Sequence, residues 1–268
     1  MTKENTNTEN NLSNCSNIGE LANTVSMPPE ALSPYTYSLE IGEICSGDLP
    51  PLPSRAMRRI ARRSKSSSRG GIVVQLPNWQ RSRIVLFESR LELRVLFLLL
   101  ARGDLIDLWE QPPSISYRDK HGNRRTHFFD FLIRLSSGRR VAIAVKPAKR
   151  AMRIEFVREL RCIRRAMSKD FADDLILITD QDFTMAEALN AERYHEFSRS
   201  RNEMGIERLR YAIRSMSFPT SVAELARSLD AGDQSFRTIF IAIYEGLLSV
   251  DRTMLIDTDT ALFLGAVQ

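Results

Sequence analysis

Hydrophobic and polar positions alternate most clearly between Phe128 and Lys146. Phe129, Phe131, Ile133 and Leu135 fall on one face of a predicted strand, with Asp130 on the other. Ser136-Ser137-Gly138 has the chemistry of a three-residue hairpin loop. In the return strand Val141, Ile143 and Val145 form one apolar face, and Ala142, Ala144 and Lys146 share the other. That turn pairs Leu135 with Arg139 and hence Asp130 with Ala144. Facing residues point the same way, so Asp130 and Lys146 converge to roughly 7–8 Å diagonally.

Upstream, 88–101 holds almost no helix breaker and reads as a strongly apolar helix. Glu88 and Glu92 lie one turn apart, and Leu96 and Leu99 continue their stripe. Ser114–Tyr117 starts a strand, His121-Gly122-Asn123 turns, and Thr126–Leu135 returns. A basic helix follows over 151–167, then a short buried strand over 175–179. Beyond 183 the pattern turns helical, with 190–216 bridging to a new unit. There Ser221 and Glu224 make a capping box for a helix over 222–229. Asp230-Ala231-Gly232-Asp233 turns into a second helix over 234–246. Two short strands are expected at 248–251 and 254–257. Helix-turn-helix plus hairpin suggests a small winged helix. Its second helix carries Phe236, Ile239, Phe240, Ile241 and Tyr244 with only Arg237 positive, which suits protein docking better than DNA reading.

Charge divides the chain. Residues 1–54 hold seven acids and one lysine, a net of −6 in a chain of net +5. This stretch is rich in Asn, Ser and Thr and reads as a disordered tail. Arg55, Arg58, Arg59, Arg62, Arg63, Lys65 and Arg69 follow without an acid, a cluster suited to DNA phosphates. Arg124 and Arg125 are further candidate DNA contacts. An apolar fraction of 43% allows real cores. No apolar run reaches the roughly 18–20 residues of a membrane span, and no signal pattern opens the chain. Cys15, Cys45 and Cys162 are isolated thiols. A cytoplasmic protein without a membrane anchor is expected.

Asp130 and Lys146 suit phosphodiester hydrolysis: a carboxylate can hold Mg²⁺ and a lysine can stabilise transition-state charge. On the hairpin alone, an ordinary Asp–Lys pair on an exposed strand face is the favoured reading. Glu92 shifts the balance, because a carboxylate among Leu91, Leu93, Val95 and Leu96 needs a partner, a hydrogen bond or a metal. The alternative for Glu92 is an intrahelical contact or a bridge to a nearby arginine, but a second metal ligand explains its place on an apolar face better.

The segments Phe87-Glu-Ser-Arg-Leu-Glu-Leu-Arg-Val-Leu-Phe-Leu98, Asp107-Leu-Trp-Glu-Gln-Pro-Pro113, Asp130-Phe-Leu132 and Ala144-Val-Lys-Pro-Ala148 together resemble the TnsA family of transposon-end endonucleases over 72–183. The resemblance implies an α/β fold with a restriction-endonuclease-like nuclease core. It implies an Mg²⁺ (or Mn²⁺) site of Glu92 and Asp130 with Lys146 catalytic. Ala144 stands where the family has Glu or Gln, so only its main-chain carbonyl is offered to the metal. Glu155 and Glu159 are further candidate acids, and Gln111 resembles a feature near the active site. The expected organisation is a tail over 1–70 ending in the basic segment, a nuclease domain over 71–185, and a helical linker with a winged-helix-like domain over 190–268. The expected function is an Mg²⁺-dependent endonuclease cutting the 5′ side of transposon ends, partnered by DNA, a transposase subunit and an AAA+ ATPase. The alternative is a catalytically weakened or inactive DNA-binding assembly factor.

Overall fold

A computed structural model describes residues 49–58 and 68–265. Strands β1 (Gly70–Val74) and β2 (Arg83–Phe87) form an antiparallel pair, followed by helix α1 (Arg90–Leu100) and strand β3 (Leu105–Glu110). A second antiparallel pair, β4 (Ile115–Arg118) and β5 (Arg124–His127), stands apart from the main sheet. Strands β6 (Phe131–Leu135) and β7 (Arg140–Val145), the short helix α2 (Ala148–Ala151), helix α3 (Ile154–Ala166) and strand β8 (Asp174–Ile178) complete an α/β layer. The main sheet runs β3-β6-β7-β8, antiparallel except for the β7–β8 pair.

Both faces of this sheet are covered. On one side Val95, Leu96 and Leu99 of α1 pack with Leu108, Phe131, Ile133, Val141, Ile143 and Val145. On the other, Ile163 of α3 joins Tyr117, Phe129, Ala142, Ala144 and Leu175. Two-sided burial is why β7 is apolar along nearly its whole length.

The β6–β7 hairpin has the expected register: Phe131 faces Ile143, and Leu135 N–H donates to Arg139 O at 2.9 Å. Gly138 closes the turn at φ 82°, a conformation glycine adopts without penalty. The expected continuous strand from Thr126 to Leu135 is instead broken at 128–130. Asp130 lies in a bend, and its carboxylate occupies the Val145 N–H at 2.6 Å. The bend sends Phe129 into the core opposite Phe131 rather than onto the same face.

The stretch 49–58, which composition assigns to a disordered tail, is laid along the α/β layer. Leu52 bridges to Arg83, and Met57 N–H donates to Gln111 O at 2.9 Å. Arg55 lies over both Trp79 and Trp109, 5.5 and 5.4 Å from their ring centroids, and pairs with Asp107 at 2.5 Å. It also donates to Leu108 O, while Trp109 Nε1 donates to Arg55 O at 2.7 Å. Arg55, a candidate DNA contact, thus has its guanidinium engaged by two indoles and a carboxylate while its side chain stays 27% exposed. Arg55→Ala is expected to lower unfolding stability by about 1–2 kcal/mol, the scale of a cation–π contact plus a charge-assisted hydrogen bond. Urea denaturation measures it, and Arg55→Lys, lacking the planar fork, should recover only part.

The C-terminal part begins with α4 (Met185–Ser198), which packs on α1 and opens with a Thr184–Glu187 capping box. Next come α5 (Glu203–Ser215), β9 (Thr220–Ser221), α6 (Val222–Leu229), α7 (Asp233–Tyr244), β10 (Leu248–Ser249) and β11 (Ala261–Leu264). The small sheet is ordered β10-β11-β9. Ser221 and Glu224 form the capping box expected at α6. The last strand lies at 261–264, not at 254–257. There Ile256 is buried as a plug in the core, its N–H donating to Asn190 Oδ1 at 3.1 Å. Helix α7 buries Ile239, Phe240, Ile241, Ala242 and Ile243, so most of the apolar surface expected to face a partner goes into the domain's own core. Among the described residues, no helix is long and apolar enough to cross a membrane.

Candidate active site

Glu92 is placed by a helix cap. Ser89 is the N-cap of α1, and its hydroxyl accepts from the Glu92 N–H at 3.1 Å. That puts Glu92 at the third helical position, where its carboxylate accepts from the Ser89 hydroxyl at 2.9 Å and from the Glu88 N–H at 2.7 Å. The intrahelical contact weighed for Glu92 is therefore present. Burial nevertheless pushes its carboxyl above the ordinary 4.5; the Glu88 N–H opposes this and the Asp130 charge adds to it.

Asp130 sits in the bend before β6. Burial pushes its carboxyl above the ordinary 3.8, opposed first by the Lys146 ammonium, then by the Val145 N–H and the Arg58 guanidinium. The charge of Asp130 thus acts on Glu92, and the charge of Lys146 on Asp130. Among the described residues, no group of three or more His, Cys, Asp or Glu side chains is gathered tightly enough to be recognised as a metal cage.

Ala144 is fully buried in the α3-side core. The Lys146 N–H donates to Ile178 O of β8 at 3.0 Å, whereas the Val145 N–H turns to Asp130. Strand alternation therefore turns the carbonyl of Ala144, two residues before Lys146, toward β8. The carbonyl on the Asp130 side is that of Val145, which corrects the assignment to Ala144.

Gln111 is more deeply involved than its place before Pro112 suggests. It is buried, adopts φ 42°, and donates its N–H to Asp130 O at 2.9 Å. A non-glycine residue at positive φ is costly and is held here by contacts on both sides. Its Oε1 accepts from Arg58 Nε at 3.0 Å, and Arg58 forms an ion pair with Glu88. Glu110, unremarked from sequence, is fully buried; its Oε1 accepts from Ser54 Oγ at 2.5 Å, and Oε2 has no hydrogen-bond partner among the described residues. The signal was an acid closing an apolar strand, Leu108-Trp109-Glu110, directly before Gln111.

His127, Tyr117 and Glu159 form a second cluster. His127 is kept below its ordinary value by burial; the Glu159 charge opposes this and the Lys146 charge adds to it. Glu159 accepts from the Tyr117 hydroxyl at 2.5 Å and, with Glu155, lines a cleft against the β4–β5 hairpin. Arg125 pairs with Asp119 at 3.1 Å, and Arg124 is exposed on β5. Arg59, Arg62, Arg63 and Lys65 lie outside the described residues; Arg69 immediately precedes β1.

Residues 103–200 match the family model described as TnsA-like endonuclease N terminal. Over this region the chain is similar to TnsA-like endonucleases. The match begins at the turn before β3 and ends just past α4, so it contains Gln111, Asp130, Lys146 and Glu159. Glu88 and Glu92 precede the matched TnsA-like segment and are joined to it by the electrostatics described above. No curated protein matches the chain.

Proposed function

We propose that this protein is an Mg²⁺-dependent DNA endonuclease that cuts the 5′ side of transposon ends within a heteromeric transposase. What supports this reading is the electrostatic coupling of Asp130 to both Glu92 and Lys146, with Asp130 held by the Val145 N–H at 2.6 Å, in a chain whose residues 103–200 are similar to TnsA-like endonucleases. The donor set fits a hard cation: two carboxylates, both pushed up by burial and close enough to repel, form a negative charge that oxygen-seeking Mg²⁺ would neutralise. Cap contacts do not exclude this, since each carboxylate oxygen has two lone pairs. Glu92 and Asp130 would hold the ion, with the Val145 carbonyl beside them. When bound, Mg²⁺ supplies charge neutralisation at a phosphate and a more acidic water. The Val145 N–H orients Asp130, and Lys146 presents a positive charge to the phosphate as negative charge builds on it. Residues 203–264 run helix, strand, helix, helix, strand, strand, which supports a winged-helix-like module serving contact with the transposase subunit and AAA+ ATPase.

One observation favours the second reading, an assembly factor that binds DNA without cutting it. Ala144 offers no side-chain oxygen and is packed among Phe129, Ile163 and Leu175. Nicking assays with Mg²⁺ and the partner proteins decide between the two. Wild type is expected to cut. Ala144→Gln is expected to cut at least as well, at a stability cost of about 1–3 kcal/mol for overpacking. A silent wild type rescued by Ala144→Gln would establish the second reading.

A further inference from the structure

Arg58, a described member of the basic segment, has a guanidinium that reaches the proposed nuclease site. The chain before it is pinned at Leu52, Ser54, Arg55 and Met57, so Arg58 is delivered to the site by a fixed backbone. Its Nε holds Gln111 Oε1 at 3.0 Å, a terminal nitrogen pairs with Glu88, and the guanidinium lies 5.7 Å from the Phe128 ring centroid. Gln111 is in turn bonded to the main chain of Asp130. Yet the Arg58 side chain remains 40% exposed, against 16% for Glu88. The cation therefore has one edge anchored within the site and another open to an incoming molecule. A guanidinium fork matches a phosphate's paired oxygens better than it matches one carboxylate oxygen.

We propose that Arg58 is a positioning residue for a DNA phosphate at this nuclease site, parked on Glu88 in the free protein and exchanged onto the phosphate when DNA binds. This rests on the endonuclease reading and deepens it. Glu88 is then a competitor of the substrate, so the two partners of one ion pair have opposite effects on DNA binding.

The test uses the full chain and a short fluorescein-labelled DNA duplex, titrated by anisotropy in Ca²⁺ at several salt concentrations. Arg58→Ala should weaken binding by about ten- to a hundredfold, the range of one charge-assisted phosphate contact. It should also flatten the slope of log affinity against log salt by roughly 0.9. Arg58→Lys should restore the slope but only part of the affinity. Glu88→Ala should tighten binding several-fold. A merely structural ion pair would lower the melting temperature in both Arg58→Ala and Glu88→Ala while leaving affinity and slope unchanged, and that result overturns the inference alone. A wild-type chain that does not bind the duplex overturns it together with the endonuclease reading.

Discussion

Asp130→Asn is expected to reduce strand cleavage by on the order of a thousandfold or more while leaving the fold intact. The asparagine oxygen can still accept the Val145 N–H that Asp130 now holds at 2.6 Å, so the bend before β6 keeps its anchor. What disappears is the charge that would bind the metal. The same change should stabilise the metal-free protein at neutral pH, since burial makes ionised Asp130 unfavourable in the folded state. The sign follows from proton binding. A carboxyl raised in the native state binds more protons there than in the unfolded chain, so its contribution to stability falls as pH rises from the ordinary 3.8 through the raised value. Below 3.8 the penalty is absent, and above the raised value it is fully present. The difference between wild-type and Asp130→Asn melting temperatures in chelator should therefore widen with pH across that window and then level off. Undiminished cleavage by Asp130→Asn would remove Asp130 from the site.

The second large effect belongs to Lys146. Lys146→Ala is expected to slow cutting by about 10²–10³-fold, the scale of losing one preorganised charge at a developing anion. Its main chain is tied to Ile178 of β8, and truncation past the last residue of β7 leaves the sheet core untouched. Ca²⁺ should still raise the melting temperature of Lys146→Ala, because both carboxylates remain. Lys146 is also the foremost charge opposing the upward push on Asp130. Its loss should move the acid limb of residual cutting to higher pH. Loss of the Ca²⁺-induced stabilisation would instead mean that Lys146 holds the site's geometry.

The parts read correctly from sequence were those set by local chemistry. Ser136-Ser137-Gly138 and the alternation around it give the register of the β6–β7 hairpin, with Phe131 opposite Ile143. Ser221 and Glu224 give the start of α6. The same serine–glutamate spacing at Ser89 and Glu92 announces the cap of α1, a signal that reading Glu92 only as an acid on an apolar stripe passes over. Misread features depend on distant partners. The bend at Asp130 follows from its side chain taking a ladder N–H on another strand, which no periodicity records. The stretch 49–58 looks like a polar, proline-rich tail until Trp79, Trp109 and Asp107 close around Arg55. Met254-Leu255-Ile256 looks like a strand, but Asn190 of α4 receives its main chain instead. Arg58 illustrates both: its charge is plain in the sequence, while its place between Glu88 and Gln111 required the fold.

The most direct measurement is cleavage of an end-labelled DNA duplex carrying the element's end, with the partner proteins present, in Mg²⁺, in Ca²⁺ and in chelator. The proposed site predicts a single nick on the 5′ side of the end in Mg²⁺, none in chelator, and none from Asp130→Asn under any condition. Cutting by the complex that persists in chelator, or that survives Asp130→Asn, would contradict a metal-dependent nuclease centred on Glu92, Asp130 and Lys146.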